Sequence, residues 1–419
     1  MEKVILVTVA LKHNRDNWRI EDTAGELEEL ARTSGVEVKD HSMFVVEKPT
    51  ANLFIGQGKA QEIAFLCQEY EVDAVIMSQD LSGTQQRNLE NIFGCKTIDR
   101  TQLILDIFAR HAKSPEGKMQ VELAQLEYLL PRLTGKGVVL SRLGGGIGTR
   151  GPGEQKLEVD RRRIRKRIDK LKDDLRQHAL HRQTVRKRRK ENAMPQVALV
   201  GYTNAGKSSL LNALTEAGQV VSDGLFTTLD PLAKKIILPN KETIVLSDTV
   251  GFLHNLPHHV IEAFKATLEE VIDADLLIHV LDVNHPRVYE HSKSVFKVLH
   301  ELKSHDKPTI TALNKIDLLE DKTWLRQLEH DFDNAIAISA MTKENLDALL
   351  EKIQSFFSER MVRLEVMISH KRMDLVDLFY RNGKVEQIEY LPKGIKVNLS
   401  LPRVLAQQLQ AKRDIEPIS

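Results

Sequence analysis

The chain has 419 residues, 42% of them hydrophobic, so it can bury several cores, and its length predicts about two to four domains. A formal net charge of +1 excludes a global field that draws the whole molecule to nucleic acid, so any such attraction has to be local. The two cysteines, Cys67 and Cys95, match no metal-binding spacing and no disulfide framework; they read as core residues in a reducing cytoplasm, and no apolar run reaches the length of a membrane span.

Val4 to Leu11 is an apolar run broken by Lys12 and His13, too short for a signal peptide, and reads as a first strand. Thr23 to Arg32 has helical spacing, Val36 to Val46 looks extended, Lys59 to Tyr70 is helical, Val72 to Met77 is a buried strand and Arg100 to Arg110 is helical again. Such β/α alternation predicts a parallel sheet with helices packed on it over residues 1–112. Gly56-Gln57-Gly58-Lys59 opens the second helix but lacks the spacing and the hydroxyl of a phosphate loop.

Residues 113–192 change character. Met119, Leu123, Leu126, Leu130 and Leu133 recur at helical steps, and Leu157, Ile164, Ile168, Leu171 and Leu175 repeat the stripe after a break. Two long helices with a short break predict an antiparallel hairpin, its first arm kinked or shortened by Pro131. The break, Arg142 to Glu154, holds six glycines and a proline, which puts a loop at the tip. Gly145, Gly146 and Gly151 let that backbone approach another surface, with Arg142 and Arg150 displayed on it. From Arg161 to Lys190 fifteen Lys or Arg face only Asp169, Asp173 and Asp174, so a phosphate backbone is the expected partner, with Arg161, Arg162 and Arg163 among the contacts. Few aromatics are interleaved, which favours folded RNA over a single strand.

Residues 195–360 carry the strongest signal. Gly201-Tyr202-Thr203-Asn204-Ala205-Gly206-Lys207-Ser208 fits G-x-x-x-x-G-K-[ST] at every fixed position, between the strand-like Val197 to Val200 and the helix-like Ser209 to Leu214. Backbone N–H groups and the helix N-terminus would hold phosphate oxygens, Lys207 would reach the β/γ-phosphates and Ser208 would offer its hydroxyl to Mg²⁺. In the loop Phe226-Thr227-Thr228-Leu229-Asp230, Thr228 is the hydroxyl expected to close on the γ-phosphate and the metal. The strand Thr243 to Leu246 delivers Asp248-Thr249-Val250-Gly251, a D-x-x-G segment whose carboxylate would hold the metal through water and whose Gly251 N–H would sense the γ-phosphate.

The base is decided by Asn314-Lys315-Ile316-Asp317, which follows the strand Thr309 to Leu313. The Asp317 carboxylate accepts from both the ring N–H and the exocyclic amine of guanine, whereas adenine leaves that acceptor unpaired. Asn314 would brace the loops and the stem of Lys315 would lie along the base. Ile336 to Ala340 is a strand whose Ser339-Ala340 end presents an N–H to the guanine oxygen, with Met341 where a lysine is common. These motifs stand in the order of a Mg²⁺-dependent GTP-binding domain, with Lys207, Thr228 and Gly251 in the catalytic positions. Phe252 stands where many such GTPases carry the Gln that orients water, so hydrolysis is expected to be slow until a partner or metal ion completes the site. Asn204, beside the phosphates, is a candidate ligand for K⁺. His254, His258 and His259 read as polar residues leading into a helix rather than as bases. Leu346, Leu349, Leu350, Ile353 and Phe357 mark a closing helix, Thr342 to Ser358. Residues 361–419 then read as a small interaction module: strand Leu364 to Ile368, helix Lys371 to Tyr380, strands Val385 to Tyr390 and Ile395 to Leu401 about Pro392-Lys393-Gly394, and helix Arg403 to Arg413.

Taken together, Gly145 to Glu154 with Asp160-Arg161-Arg162, Gly201 to Ser208, Phe226 to Pro231, Asp248 to Phe252 and Ala263 to Glu270 resemble the HflX family of ribosome-associated GTPases, over nearly the whole chain. The resemblance implies a hairpin-bearing N-terminal domain, a GTPase domain and a small C-terminal domain. It also implies binding to the large ribosomal subunit, stimulation of GTP hydrolysis there, and splitting or rescue of stalled ribosomes under stress. The expected fold is α/β: a P-loop GTPase domain (mostly parallel sheet, helices on both faces) at 195–360, an N-terminal α/β domain at 1–112 with a long antiparallel helical hairpin at 113–192, and a C-terminal α+β domain at 361–419. Expected partners are GTP or GDP, Mg²⁺, K⁺ as a candidate, and ribosomal RNA; the expected form is a cytoplasmic monomer. A ribosome-assembly GTPase and a nucleotide-switched RNA-binding or chaperone-like protein stand as alternatives.

Overall fold

The computed structural model describes residues 1–12, 18–133, 152–191, 194–215, 225–226, 232–255, 257, 260, 265–321, 323–358, 361–402, 406 and 415–417, and these are organised by three sheets. In the first, β1 (Lys3–Leu11), β2 (Glu37–Val46), β3 (Ala74–Met77) and β4 (Lys96–Asp99) are parallel in the order β2-β1-β3-β4. The helices of this unit are α1 (Ile20–Thr33), α2 (Gln57–Glu69), α3 (Gly83–Phe93) and α4 (Arg100–His111). Because successive strand side chains point to opposite faces, Val4 and Leu6 pack with Leu27 and Leu30 of α1 and Ile104 and Phe108 of α4, while Ile5, Val7 and Val9 pack with Ile63 and Cys67 of α2 and Leu89 of α3. With both faces covered, all four residues of β3 are buried.

The sequence pattern did not anticipate α3 or β4. Gly83 to Asn88 shows no apolar stripe and β4 gives the core only Ile98, so capping and packing make these elements. The Ser82 hydroxyl accepts from the Gln85 N–H at 3.2 Å, the Gln85 side chain accepts from the Ser82 N–H at 2.9 Å, and Gly94 ends the helix at φ 73°.

Helix α5 (Pro115–Arg132) starts from a Ser114 cap with proline in its first turn, and Pro131 falls in the last turn of this described stretch. Helix α6 (Pro152–Glu191) packs against α5 in the opposite direction: Glu116 pairs with Arg182, Glu122 with Arg167 at 2.7 Å and Glu127 with Lys172 at 2.8 Å. The glycine-rich tip between them lies outside the described residues.

The second sheet is built from β5 (Gln196–Gly201), β6 (Leu232–Ile237), β7 (Thr243–Asp248), β8 (Leu276–Asp282), β9 (Thr309–Asn314) and β10 (Ala335–Ala337), in the order β10-β9-β8-β5-β7-β6. All neighbours are parallel except β6 and β7, which are antiparallel; β6 is an edge strand the sequence reading did not place. Its helices are α7 (Lys207–Thr215), α8 (Lys265–Asp273), α9 (Val288–Glu301), α10 (Thr323–Asp331) and α11 (Leu346–Ser358). All six residues of β5 are buried, so the phosphate loop leaves the carboxyl end of a central strand, where α/β sheets bind ligands.

The third sheet is antiparallel: β11 (Met361–Ile368), β12 (Lys384–Leu391), β13 (Gly394–Pro402) and β14 (Ile415–Pro417), in the order β12-β13-β11-β14. Val366, Ile368, Ile395, Val397 and Leu399 pack under Val376 and Phe379 of α12 (Met373–Asn382). β14 was not expected, and the helix expected over Arg403 to Arg413 lies outside the described residues except for Ala406, which is helical.

Candidate functional site

The loop Gly201 to Ser208 is shaped by contacts that only its glycines allow. A Cβ on Gly201 would collide with the Val280 carbonyl of β8, and one on Gly206, at φ 94°, with the Asn314 side chain. Asn204 also adopts positive φ, 59°, and is exposed. Inside the curl, Lys207 is buried, and its ammonium donates to the carbonyls of Tyr202 at 2.8 Å and Gly201 at 3.2 Å. Burial lowers its pKa to about 8, against the opposing pull of Asp248. Ser209 is half-buried on α7.

The Ser208 hydroxyl donates to the Asp248 carboxylate at 2.6 Å. A hydroxyl and a carboxylate side by side are hard oxygen donors, the set that suits Mg²⁺ completed by water and phosphate. Among the described residues there is no group of three or more His, Cys, Asp or Glu that could hold a metal by itself. Thr249 is tied down through its hydroxyl to the Leu199 carbonyl at 2.6 Å, and Val250 is buried. A Cβ on Gly251 would strike Thr203 of the phosphate loop at 2.6 Å and approach the Lys207 ammonium at 3.2 Å, so this backbone lies against the loop.

Phe252 fixes the approach. Its carbonyl accepts from the Thr203 N–H at 2.8 Å and its N–H donates to the Gly201 carbonyl at 3.1 Å, while its ring is 1% exposed in the core. An apolar ring turned inward cannot orient water.

At the other end, Asn314 donates to the Ala205 carbonyl at 2.9 Å and accepts from the Ala340 N–H at 3.0 Å, joining three loops. Lys315, at φ 68°, pairs with Asp282 at 2.7 Å, and Ile316 is buried. The Asp317 carboxylate is exposed and accepts from the Ser339 hydroxyl at 2.6 Å, leaving an oxygen edge toward solvent. Ser339 and Ala340 are buried beside it, and the Met341 side chain is 84% exposed at the rim. Thr227, Thr228, Leu229 and Asp230 lie outside the described residues, as do Arg142, Gly145, Gly146, Arg150, Gly151, His258 and His259. Phe226 is buried, edge-on to Phe108 of α4 at 4.4 Å, so it can offer a nucleotide only backbone.

The N-terminal unit sits directly on this machinery, a contact with no signature in residue spacing. The Tyr202 hydroxyl donates to Glu26 of α1 and accepts from the His254 N–H at 2.8 Å. Arg100 of α4 pairs with Glu26 and donates to the carbonyls of His254 at 2.6 Å and Asn255 at 3.0 Å. Asp22 pairs with Arg287, and the Thr33 hydroxyl accepts from the Leu225 N–H at 3.0 Å. The His291 ring stacks on Tyr202 at 3.8 Å, and burial lowers its pKa to about 3, which keeps it neutral there. His254 stacks on Trp18 at 4.2 Å; it is a docking residue rather than a helix opener.

On α6, Arg162 and Arg163 are exposed and Arg161 is half-buried. Arg167, Lys172 and Arg182 are paired with acids of α5, and Arg182 also with Glu269 of α8 at 3.1 Å. No described helix is long and apolar enough to cross a membrane.

Family models match the chain in four successive stretches: a GTP-binding GTPase N-terminal region at 21–109, a GTP-binding GTPase middle region at 111–189, a 50S ribosome-binding GTPase at 196–315 and an HflX C-terminal domain at 325–414. GTPase HflX of Caldanaerobacter subterraneus is 47% identical over 392 residues, covering 93% of this chain and 90% of that protein. GTPase HflX of Escherichia coli is 39% identical over 401 residues, covering 96% and 93%. A crystal structure of a GTP-binding protein from Sulfolobus solfataricus in complex with GDP is 27% identical, covers 85% of this chain and 98% of its own, and superposes with a TM-score of 0.44. With a phosphate loop, a D-x-x-G segment and a guanine-type N-K-x-D loop on one sheet edge, and relatives matched over nine-tenths or more of both chains, the chain belongs to the HflX family of P-loop GTPases and is a GTP hydrolase.

Proposed function

We propose that this GTPase binds the large ribosomal subunit as a cytoplasmic monomer and splits or rescues stalled ribosomes under stress, its GTP hydrolysis stimulated there. What carries the reading is Phe252: the residue after Gly251 is buried and its backbone is clamped to the phosphate loop, so this position supplies no water-orienting side chain. A site built this way needs a surface from outside to complete it. The match of 196–315 to a family described as 50S ribosome-binding GTPases supports the large subunit as that surface.

In this reading the loop N–H groups and Lys207 would bind the β- and γ-phosphates, Ser208 and Thr228 would hold Mg²⁺ with Asp248 acting on it through water, and Gly251 would report the γ-phosphate. When bound, Mg²⁺ supplies charge neutralisation on the phosphate oxygens. Asp317, aligned by Ser339, selects guanine. Asn204 offers K⁺ a carbonyl beside the phosphates, where the cation would stabilise developing charge; equal hydrolysis rates in K⁺ and Na⁺ buffers would remove that part. Arg142 and Arg150 with the glycine-rich tip, and Arg161 to Arg163 on α6, face ribosomal RNA.

Sedimentation of purified ribosomes with the protein tests the reading. Dissociation into subunits with GTP or a non-hydrolysable analogue, and its loss in Lys207→Ala, is the expected result. Association with precursor particles alone, or nucleotide-dependent RNA binding without any effect on ribosomes, overturns it.

A further inference from the structure

We propose that Cys67 and Cys95 form a peroxide-reactive thiol pair that closes to a reversible disulfide inside the N-terminal unit. These are the only cysteines among 419 residues, they are 28 residues apart, and the fold brings their Sγ atoms to 3.9 Å. Cys67 stands in the last turn of α2, and Cys95 lies in the short link between α3 and β4. A disulfide needs about 2 Å between sulfurs, so the pair has only to close the remaining gap. The link begins at Gly94, whose left-handed φ of 73° ends α3, and no strand hydrogen-bonding ladder holds Cys95 itself. Small adjustments there move one sulfur without disturbing the sheet.

Access assigns the roles. Cys67 is 5% exposed, whereas Cys95 is half-buried between the exposed Gly94 and Lys96, so a small oxidant reaches Cys95 first. The contact with Cys67 lowers the Cys95 pKa, outweighing burial and the nearby Asp73 and Glu90, and it raises that of Cys67 together with burial. Cys95 is therefore the better thiolate and Cys67 the neutral thiol beside it. The Cys95 thiolate attacks one peroxide oxygen; the O–O bond breaks, hydroxide leaves and takes up a proton, and Cys95 becomes a sulfenic acid. The Cys67 sulfur then attacks the Cys95 sulfur, the S–O bond breaks, and water leaves with the Cys67 proton. In sum, two thiols and one hydrogen peroxide give one disulfide and two waters, the sulfurs losing two electrons to the peroxide.

The bridge would tie α2 to the start of β4 and enclose β3 and α3 between its ends. It would lie on the sheet face that packs Ile63 and Leu89, opposite the face packed by α1 and α4.

The test exposes the full-length protein to hydrogen peroxide and counts thiols after denaturation, with intact mass as a second readout. Wild type is expected to lose both thiols together with the mass of two hydrogens, and to regain them with dithiothreitol. Cys67→Ser is expected to stop at a trappable sulfenic acid on Cys95, one oxygen heavier, while Cys95→Ser keeps its remaining thiol unmodified. Wild type that keeps both thiols, or gains oxygen without losing two hydrogens, overturns the proposal. The wild-type measurement decides the matter even where a serine variant does not fold.

Discussion

The phenol of Tyr202, in the phosphate loop, donates its proton to the carboxylate of Glu26, on the first helix of the N-terminal unit. Glu26 in turn neutralises Arg100, and their side chains are only 10% and 11% exposed. Removing the carboxylate strands a buried guanidinium, whereas removing the phenol hydroxyl costs one hydrogen bond. Glu26→Ala is therefore expected to lower stability by about 3 kcal/mol and Tyr202→Phe by only about 1 kcal/mol, read from urea unfolding midpoints. Equal losses in the two variants would contradict this ranking.

Lys207 gives a pH prediction. Its folded-state pKa of about 8 lies below the ordinary lysine value because burial disfavours the charge. Below pH 8 the folded chain bears the cost of a buried ammonium; between pH 8 and the unfolded value that cost is relieved, so this group makes stability rise with pH. Nucleotide affinity moves the other way, because phosphate favours the charged amine and must recruit a proton once the amine is neutral. Affinity for a fluorescent GDP analogue should fall as pH rises through about 8 in wild type. Lys207→Arg, which stays charged, should lose that inflection; an identical inflection would rule Lys207 out as its source.

Phe252 invites the substitution Phe252→Gln, in imitation of a water-orienting glutamine. Because the ring is buried, the amide would enter an apolar core, and a loss of about 3 kcal/mol is expected with no gain in intrinsic hydrolysis. Single-turnover rates without ribosomes check this, and an accelerated rate would show that the side chain can turn outward.

Base choice is tested at Asp317. An asparagine there presents a donor where guanine requires a second acceptor, so Asp317→Asn should weaken GTP by about 3 kcal/mol, roughly a hundredfold. Ser339→Ala, which only frees the carboxylate from its 2.6 Å partner, should cost about 1 kcal/mol. Competition between GTP and xanthosine triphosphate, measured by calorimetry, reads both.

The parts of the site proposed to hold a nucleotide were the legible ones. The phosphate loop, Asp248, Asn314 and Asp317 each sit at a strand end in a spacing set by local backbone geometry, so the sequence carries them as short patterns. Contacts between units leave no such trace. Nothing in the spacing links Tyr202 to Glu26 or Arg100 to His254, because these depend on how two sheets come together. The same limit distorts charge counting. The excess of base from Arg161 to Lys190 looked unbalanced along the chain, yet Arg167, Lys172 and Arg182 find Glu122, Glu127 and Glu116 on α5. Helix α3 was missed because it is held by a capping box and by packing rather than by an apolar stripe.

The length of α6 has a consequence for working distance. At about 1.5 Å of rise per residue, its 40 residues make a rod about 60 Å long, and the described residues of α5 lie along about 27 Å of it. In the proposed reading such a boom would let the chain probe a large particle while the GTP-hydrolysing module stays outside it.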